Sequence, residues 1–323
     1  MHRDFGAEVA AFVLFSYICA LNANILYLMK KSFKIIGISV ASLLVLLLLS
    51  FLFIRFFFRE EVVSYLQKEQ KEFYVGLLQE SRYAADTLRL RPVYCMDDDR
   101  LTKVESHFRL DTLFEGTEDT YQKALKIQRF VSDRLPHGNL PRMPERKNAI
   151  DLWAFADTSS YHLNCRLHSI LMRDMLMSAG IKARYITCLP EDVEDQDCHV
   201  VNEVFVPELG KWAMIDSDQD QVVTDMEGVP LSLRELRDKL IAGEPYLING
   251  EKNEGQYYDQ YMAKNSYWYS RHEMSCIDDE TGDLLPGDRR IALIPVGYRV
   301  QSGNTQWLFE NSICTTDPEK FWE

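Results

Sequence analysis

The sequence predicts an α+β protein in which a helix headed by a cysteine packs on an antiparallel sheet, preceded by a transmembrane helix. Three observations predict it. Residues 35–54 form an apolar run of 20 residues without a charge. Residues 165–179 carry Leu167, Ile170, Leu171 and Met175 at helical spacing. The runs ARYITCL, HVVNEVFV and KWAMID, rich in β-branched and aromatic residues, read as strands that follow that helix.

Composition bounds the rest. The chain has 323 residues, of which 46% are hydrophobic and 26% charged, the balance of a globular protein with a sizeable core. With 49 acidic and 36 basic residues the net charge is −13, which argues against nucleic acid as a partner, because that role needs a basic surface to displace phosphate counterions. The 7 cysteines show no C-x-x-C pair, so neither a zinc site nor a redox dithiol is expected, and no cofactor or metal is implied.

The run 35–54 is about 30 Å long as a helix, which matches the hydrocarbon thickness of a bilayer. It ends in Ile54-Arg55-Phe56-Phe57-Phe58-Arg59, bulky and without the small residues of a cleavage site, so it reads as an uncleaved anchor. Lys30, Lys31 and Lys34 precede it and place the soluble body outside the cytoplasm, with the lipid bilayer as a partner. Residues 1–34 are either an extra span, interrupted by Asn22 and Asn24, or the product of a mis-called start, since Met29-Lys30-Lys31 looks like a natural one.

Residues 55–100 are expected to form a stalk helix and linker. Val62, Val63, Leu66, Phe73, Leu77 and Leu78 supply one stripe, and Arg91-Pro92 with Asp97, Asp98 and Asp99 close it. The next helix is expected over 117–135, with Thr117 and Thr120 near its start and Pro136 and Gly138 at its end. A short helix follows over 150–155. In the helix 165–179, Asn164 is the N-cap and Gly180 the left-handed C-terminal residue. Cys165 thus falls in the first turn, where free backbone N–H groups and the helix dipole favour a thiolate. Among the strands, the turn at Pro207-Glu208-Leu209-Gly210 makes Val206 face Lys211 and Val201 face Asp216. His199 and Asp216 are then diagonal neighbours on one face, and Asp218 lies across from His199. Beyond residue 225 a helix is expected over 231–241, an aromatic-rich stretch over 255–269, and late strands over 291–300 and 305–309. Trp153, Trp212, Trp268 and Trp307 read as core. Cys188 and Cys198 flank the acidic loop 191–197, which reads as solvated; one ends a strand and the other begins the next, so they either form a disulfide, if those strands pair, or stay two free buried thiols.

Cys165, His199 and Asp216 fit a nucleophile, a general base and an orienting acid: a thiol needs a base nearby, and the imidazole needs a carboxylate to fix its tautomer. His168, one turn after Cys165, is poorly placed as a base because it shares the helix. At these residues the chain resembles the transglutaminase-like superfamily, whose core is papain-like. The resemblance rests on Asn164-Cys165 opening a helix that ends Ser178-Ala179-Gly180-Ile181-Lys182-Ala183-Arg184-Tyr185, then HVVNEVFV, then KWAMID, and covers about 100 residues. It implies Cys165 as the nucleophile, His199 as the base and Asp216 as the acid. Ser217 and Asp218 stand where the family often has Pro, so Asp218 could share the role of Asp216. Val200 and Val201 also depart from the family's pattern. Trp153, Tyr161 and Asn164 are the side chains considered for stabilising an oxyanion, beside the Cys165 backbone N–H.

The organisation expected is therefore an N-terminal segment (1–34), a membrane helix (35–54), a stalk and linker (55–100), a transglutaminase-like core (101–225) and a C-terminal extension packed on it (226–323). The activity implied is that of a thiol hydrolase or acyltransferase acting on peptide, protein or cell-wall amide bonds through an acyl-enzyme. The rival readings are a domain that keeps the fold as a binding or scaffold module, and a sensor that signals through its membrane helix.

Overall fold

The computed structural model describes residues 5–140, 142–158, 162–276 and 287–323, and the chain divides into two units, Met1–Tyr65 and Leu66–Glu323. The first is dominated by α1 (Phe5–Phe57), which runs unbroken through both apolar stretches of the sequence. Within it Ser39–Phe57, 19 residues of mean hydropathy 2.6 and unburied along its length, is long and apolar enough to cross a membrane.

After Phe58 the chain enters α2 (Arg59–Glu80), whose C-terminal turns belong to the second unit. There Leu78, flanked by Tyr74 and Val75, packs into the core. Val62, Val63, Leu66 and Phe73, expected on the buried stripe, are exposed, because the side of the helix that packs is the one carrying residues 74, 75 and 78. The helix also stops at Glu80 rather than at Arg91-Pro92. Beyond it the backbone finds partners across the fold: Ala84 N–H donates to the Thr316 carbonyl at 2.8 Å and Arg91 N–H to the Glu273 carboxylate at 2.6 Å.

β1 (Val93–Tyr94) follows, then α3 (Asp99–Phe108), capped by Asp98, so the acidic triplet opens a helix instead of closing one. After α4 (Leu110–Leu113) comes α5 (Thr120–Ser132), whose cap is Asp119, accepting from Gln122 N–H at 2.8 Å, rather than either threonine. Then come α6 (Ala149–Thr158), α7 (Cys165–Ser178), β2 (Ala183–Leu189), β3 (His199–Val206), β4 (Lys211–Asp216) and β5 (Gln221–Thr224). α8 (Leu233–Ala242) begins in a capping box between Ser232 and Glu235. β6 (Leu247–Ile248), β7 (Glu251–Lys252), α9 (Tyr257–Lys264), β8 (Trp268–His272), β9 (Met274–Ser275) and β10 (Arg290–Leu293) follow. α10 (Gln306–Glu310), β11 (Ile313–Thr315) and α11 (Pro318–Trp322) complete the chain. The expected strand over 291–300 ends at Leu293, before Pro295, which has no N–H to give a ladder. The expected strand over 305–309 is the short helix α10, and its Trp307 is 60% exposed rather than core.

Nine strands form one sheet in the order β11-β10-β8-β2-β3-β4-β5-β6-β7, antiparallel except at β10–β11. Val206 pairs with Lys211 and Asn202 with Ile215, the register that the turn at 207–210 implies. Period two divides the sheet cleanly. Ala183, Tyr185, Val200, Val204, Ala213 and Ile215 face α3, α5, α6 and α7. Ile186, Cys188, Val201 and Met214 face α8, α9, α11 and the end of α2. A mixed α+β architecture results, with the sheet between two layers of helices. The second layer was not legible in the sequence. β1 and β9 pair separately in parallel, and a disulfide joins Cys95 to Cys276 across a separation of 181 residues. Cys188 and Cys198 are free thiols, not a bridge.

Candidate active site

α7 is fixed at its head by Asn164, whose side-chain oxygen accepts from Leu167 N–H at 3.0 Å. Leu167, Ile170 and Leu171 are fully buried against the sheet, each worth about 1.5–3 kcal/mol. That packing holds Cys165, the first helical residue, half-buried at one end of the sheet, with its thiol 3.9 Å from the Cys198 carbonyl oxygen. The next residue along is His199, the first of β3.

His199 Nε2 lies 2.5 Å from Asp216 Oδ2, and both side chains are buried. Asp216 Oδ1 accepts the backbone N–H groups of Asp218 and Gln219 at 3.0 and 3.1 Å. Its Oδ2 also accepts the Tyr258 hydroxyl at 2.8 Å. The pair is an ion pair. Burial opposes the charge on His199, but the Asp216 carboxylate overrides it and holds the imidazole well above its usual range, with the Cys165 thiol adding to the effect. Burial likewise pushes Asp216 up, and the His199 charge together with the donated hydrogen bonds pulls it below the usual carboxylate range. With Nε2 committed to Asp216, the ring nitrogen left for the thiol is Nδ1, which is buried. The structure thus brings the three predicted residues together.

Asp218 has a different partner. Its carboxylate bonds His137 Nδ1 at 2.8 Å, and its contact with the candidate triad is the backbone N–H it donates to Asp216. His168 lies near the Asp216 charge without a hydrogen bond to it. It is fully buried, without a hydrogen bond at either ring nitrogen, 3.9 Å from Asp218 Oδ1, and burial depresses its pKa to about 4. Of the side chains considered for an oxyanion, Trp153 stacks on Phe130 with ring centroids 5.4 Å apart, as part of the core. Asn164 spends its oxygen on the cap, and its amide nitrogen lies 3.9 Å from the Met143 sulfur. Tyr161 lies outside the described residues.

Sequence reasoning missed α9. Tyr258 bonds Asp216 across 42 residues, and the Tyr261 ring meets the His199 ring edge-on at 5.1 Å. The only signal was the aromatic richness of 255–269, which names no partner. The acidic loop is likewise not simply solvated: Lys264 of α9 pairs with Asp195 at 2.9 Å and Asp197 at 2.8 Å. Among the described residues no cluster of His, Cys, Asp and Glu could hold a metal ion. The neighbouring thiols do not compete with Cys165: burial pushes Cys188 far up and Cys198 up to about 12.

Residues 109–217 match the Transglutaminase-like superfamily, so the chain carries a domain of that kind spanning Cys165, His199 and Asp216. No curated protein sequence matches the chain. Among solved structures, similarity extends to a candidate cysteine protease from Cytophaga hutchinsonii, at 19% identity and a TM-score of 0.30, covering 47% of each chain. It extends also to a candidate protease from Parabacteroides distasonis, at 19% identity and a TM-score of 0.25, covering 36% of this chain and 24% of the other. The chain therefore spans about half the length of the first and a quarter of the second.

Proposed function

We propose that the protein is a membrane-anchored thiol enzyme of transglutaminase-like fold that acts on amide bonds through an acyl-enzyme, with its soluble unit outside the cytoplasm. The observation that carries this reading is the buried His199–Asp216 ion pair beside a half-buried cysteine at a helix N-terminus. In this reading Cys165 is the nucleophile, His199 the acid and base, and Asp216 the residue that orients and charges the ring. The core of the activity is residues 101–225, and residues 226–323 complete the site.

The Cys165 thiolate attacks the amide carbonyl carbon, and a C–S bond forms as the carbonyl π electrons move to oxygen. In this reading the Cys165 backbone N–H, in the first turn of α7, donates to that oxyanion. On collapse the C–N bond breaks, and His199 Nδ1 gives its proton to the departing amine. The neutral ring then takes a proton from water or from an incoming amine as it attacks the thioester, and the thiolate leaves. Water gives hydrolysis, an amine gives acyl transfer. The extracytoplasmic side favours peptide, protein or cell-wall amides as substrates. Three features support that location: the apolar segment within α1, the lysines that precede it, and a disulfide in the soluble unit, which persists in oxidising compartments.

The test is iodoacetamide labelling of Cys165 in the full-length chain as a function of pH, with labelled peptides quantified separately. Fast labelling at neutral pH that is lost in His199→Ala supports an activated thiolate. Labelling no faster than that of the exposed Cys314, and equal in both proteins, moves the assignment to a binding module of the same fold.

A further inference from the structure

The match to the superfamily ends at residue 217, yet the coordination of Asp216 does not. Two hydrogen-bond donors converge on the same carboxylate oxygen, Oδ2: His199 Nε2 from β3 and the Tyr258 hydroxyl from α9. We infer that Tyr258 is a positioning residue for the thiol chemistry, acting through Asp216, and that the helix carrying it is part of the active site rather than an appendage. The inference rests on the reading of Cys165, His199 and Asp216 given above.

The geometry leaves Tyr258 little else to do. Its side chain is buried, and its ring stands perpendicular to the His199 ring with centroids 6.3 Å apart. A buried hydroxyl that donates to a carboxylate stabilises the anion over the acid. Burial and the nearby Asp216 charge raise Tyr258 far above its usual range, so the proton stays on the phenol and remains available to donate. The hydroxyl also fixes the carboxylate plane, and with it the direction in which the imidazole points its Nδ1.

α9 is anchored so that this bond holds. The residue after Tyr258, Asp259, is buried and accepts from Lys71 of α2 at 2.7 Å and from the Tyr246 hydroxyl. At the other end Lys264 binds the loop that leads into His199. The titratable groups around Asp216 are His199 on β3, Cys188 on β2, Cys165 and His168 on α7, Asp218 after β4, and Tyr258 on α9. Tyr258 is the one whose neutral hydroxyl donates directly to the carboxylate.

The experiment compares full-length wild type, Tyr258→Phe and Tyr257→Phe. Tyr257 is the exposed neighbour on the same helix and makes no bond to Asp216. Two readouts are followed against pH: Cys165 labelling by iodoacetamide, and the ¹³C shifts of labelled histidine rings, with His199 assigned from His199→Gln. A hydrogen bond to a charged group corresponds to about one unit on the pH scale. The expected result in Tyr258→Phe is that the acid limb of both profiles moves up by about one pH unit, because Asp216 takes a proton more readily, while Tyr257→Phe matches wild type. The inference is overturned if Tyr258→Phe lowers the melting temperature but leaves both acid limbs within about 0.3 unit of wild type, or if Tyr257→Phe shifts them as much. The ring shifts report on the His199–Asp216 pair whether or not Cys165 is reactive. Slow labelling of wild type would therefore remove the enzyme reading while Tyr258 was still judged by the ring titration.

Discussion

His199 and Asp216 meet at 2.5 Å from adjacent antiparallel strands, as a buried pair in which each partner holds the other charged. The relationship follows from register. Val206 pairs with Lys211, and continuing that ladder puts Val201 opposite Asp216, with His199 two residues further along the same face. Asp216→Asn keeps the shape and removes the charge, so His199 loses the group that overrides its burial. Turnover on an amide substrate is expected to fall about 10³–10⁴-fold, and Cys165 labelling at neutral pH to fall with it. Kinetics of the variant check this, and an effect below tenfold would assign the pair a structural role.

His168 makes a separate prediction about stability. Burial, only partly opposed by the Asp216 charge, lowers its pKa from 6.5 to about 4 in the folded protein. A histidine whose folded pKa is depressed stabilises the fold fully above the unfolded value. That contribution is lost as pH falls from 6.5 to about 4, and nothing more is lost below. At about 1.4 kcal/mol per pH unit the loss comes to roughly 3 kcal/mol. Denaturant unfolding across this window should show the decline, and His168→Met should flatten it. An unchanged slope in the variant would mean that His168 is not the source of the acid sensitivity in this window; Asp216, whose pKa is depressed, loses its own contribution only below the ordinary carboxylate range.

What was legible in the sequence was local or periodic. α7 and strands β2, β3 and β4 begin and end where the alternation, Asn164 and the turn at 207–210 put them, and Gly180 adopts a φ of +74° past the helix. The apposition of Cys165, His199 and Asp216 followed from those elements. What was not legible depended on distant contacts. The end of α2 at Glu80 is set by partners more than 180 residues away, such as Glu273 and Thr316. Tyr258 could be recognised only once α9 was seen against the far face of the sheet. Asp119 rather than Thr117 caps α5, since several residues there offer an oxygen and only backbone geometry chooses among them. Cys95 and Cys276 pair across most of the soluble unit, and the closer Cys188 and Cys198 stay apart, because disulfides follow the path of the fold rather than proximity in sequence.

Glu203 is expected to matter for folding rather than chemistry. It lies on the same face of β3 as His199, but its carboxylate accepts from Arg184 on β2 at 2.8 and 3.0 Å and from the Leu233 N–H at the start of α8 at 2.9 Å. Both side chains are buried. Glu203→Gln leaves the Arg184 charge buried without its counter-ion, which should cost about 3–5 kcal/mol. The double variant Arg184→Met/Glu203→Leu should cost clearly less than the sum of Arg184→Met and Glu203→Leu, which with wild type complete the cycle. Chemical denaturation of the four proteins measures the coupling, and additive costs would mean that the pair is not a unit.

The Cys95–Cys276 bridge closes a loop across 181 residues, holding β1 to β9 at a point where only two short strands pair. By loop closure alone, a cross-link of that span removes unfolded-state entropy worth about 5 kcal/mol, and native strain or residual structure reduces the figure in practice. Cys95→Ser/Cys276→Ser should therefore lower unfolding stability by about 2–5 kcal/mol. The rate of Cys165 labelling on the protein that remains folded should stay the same, because neither cysteine contacts α7, β3 or α9 through a hydrogen bond of the site. The two effects separate in one experiment that follows denaturant unfolding and iodoacetamide labelling on the same samples. A fall in labelling at full folding would place the β1–β9 pair in the machinery of the site. Unchanged stability would mean that the bridge is not formed in the native protein, and the case for an oxidising compartment would lose its covalent support.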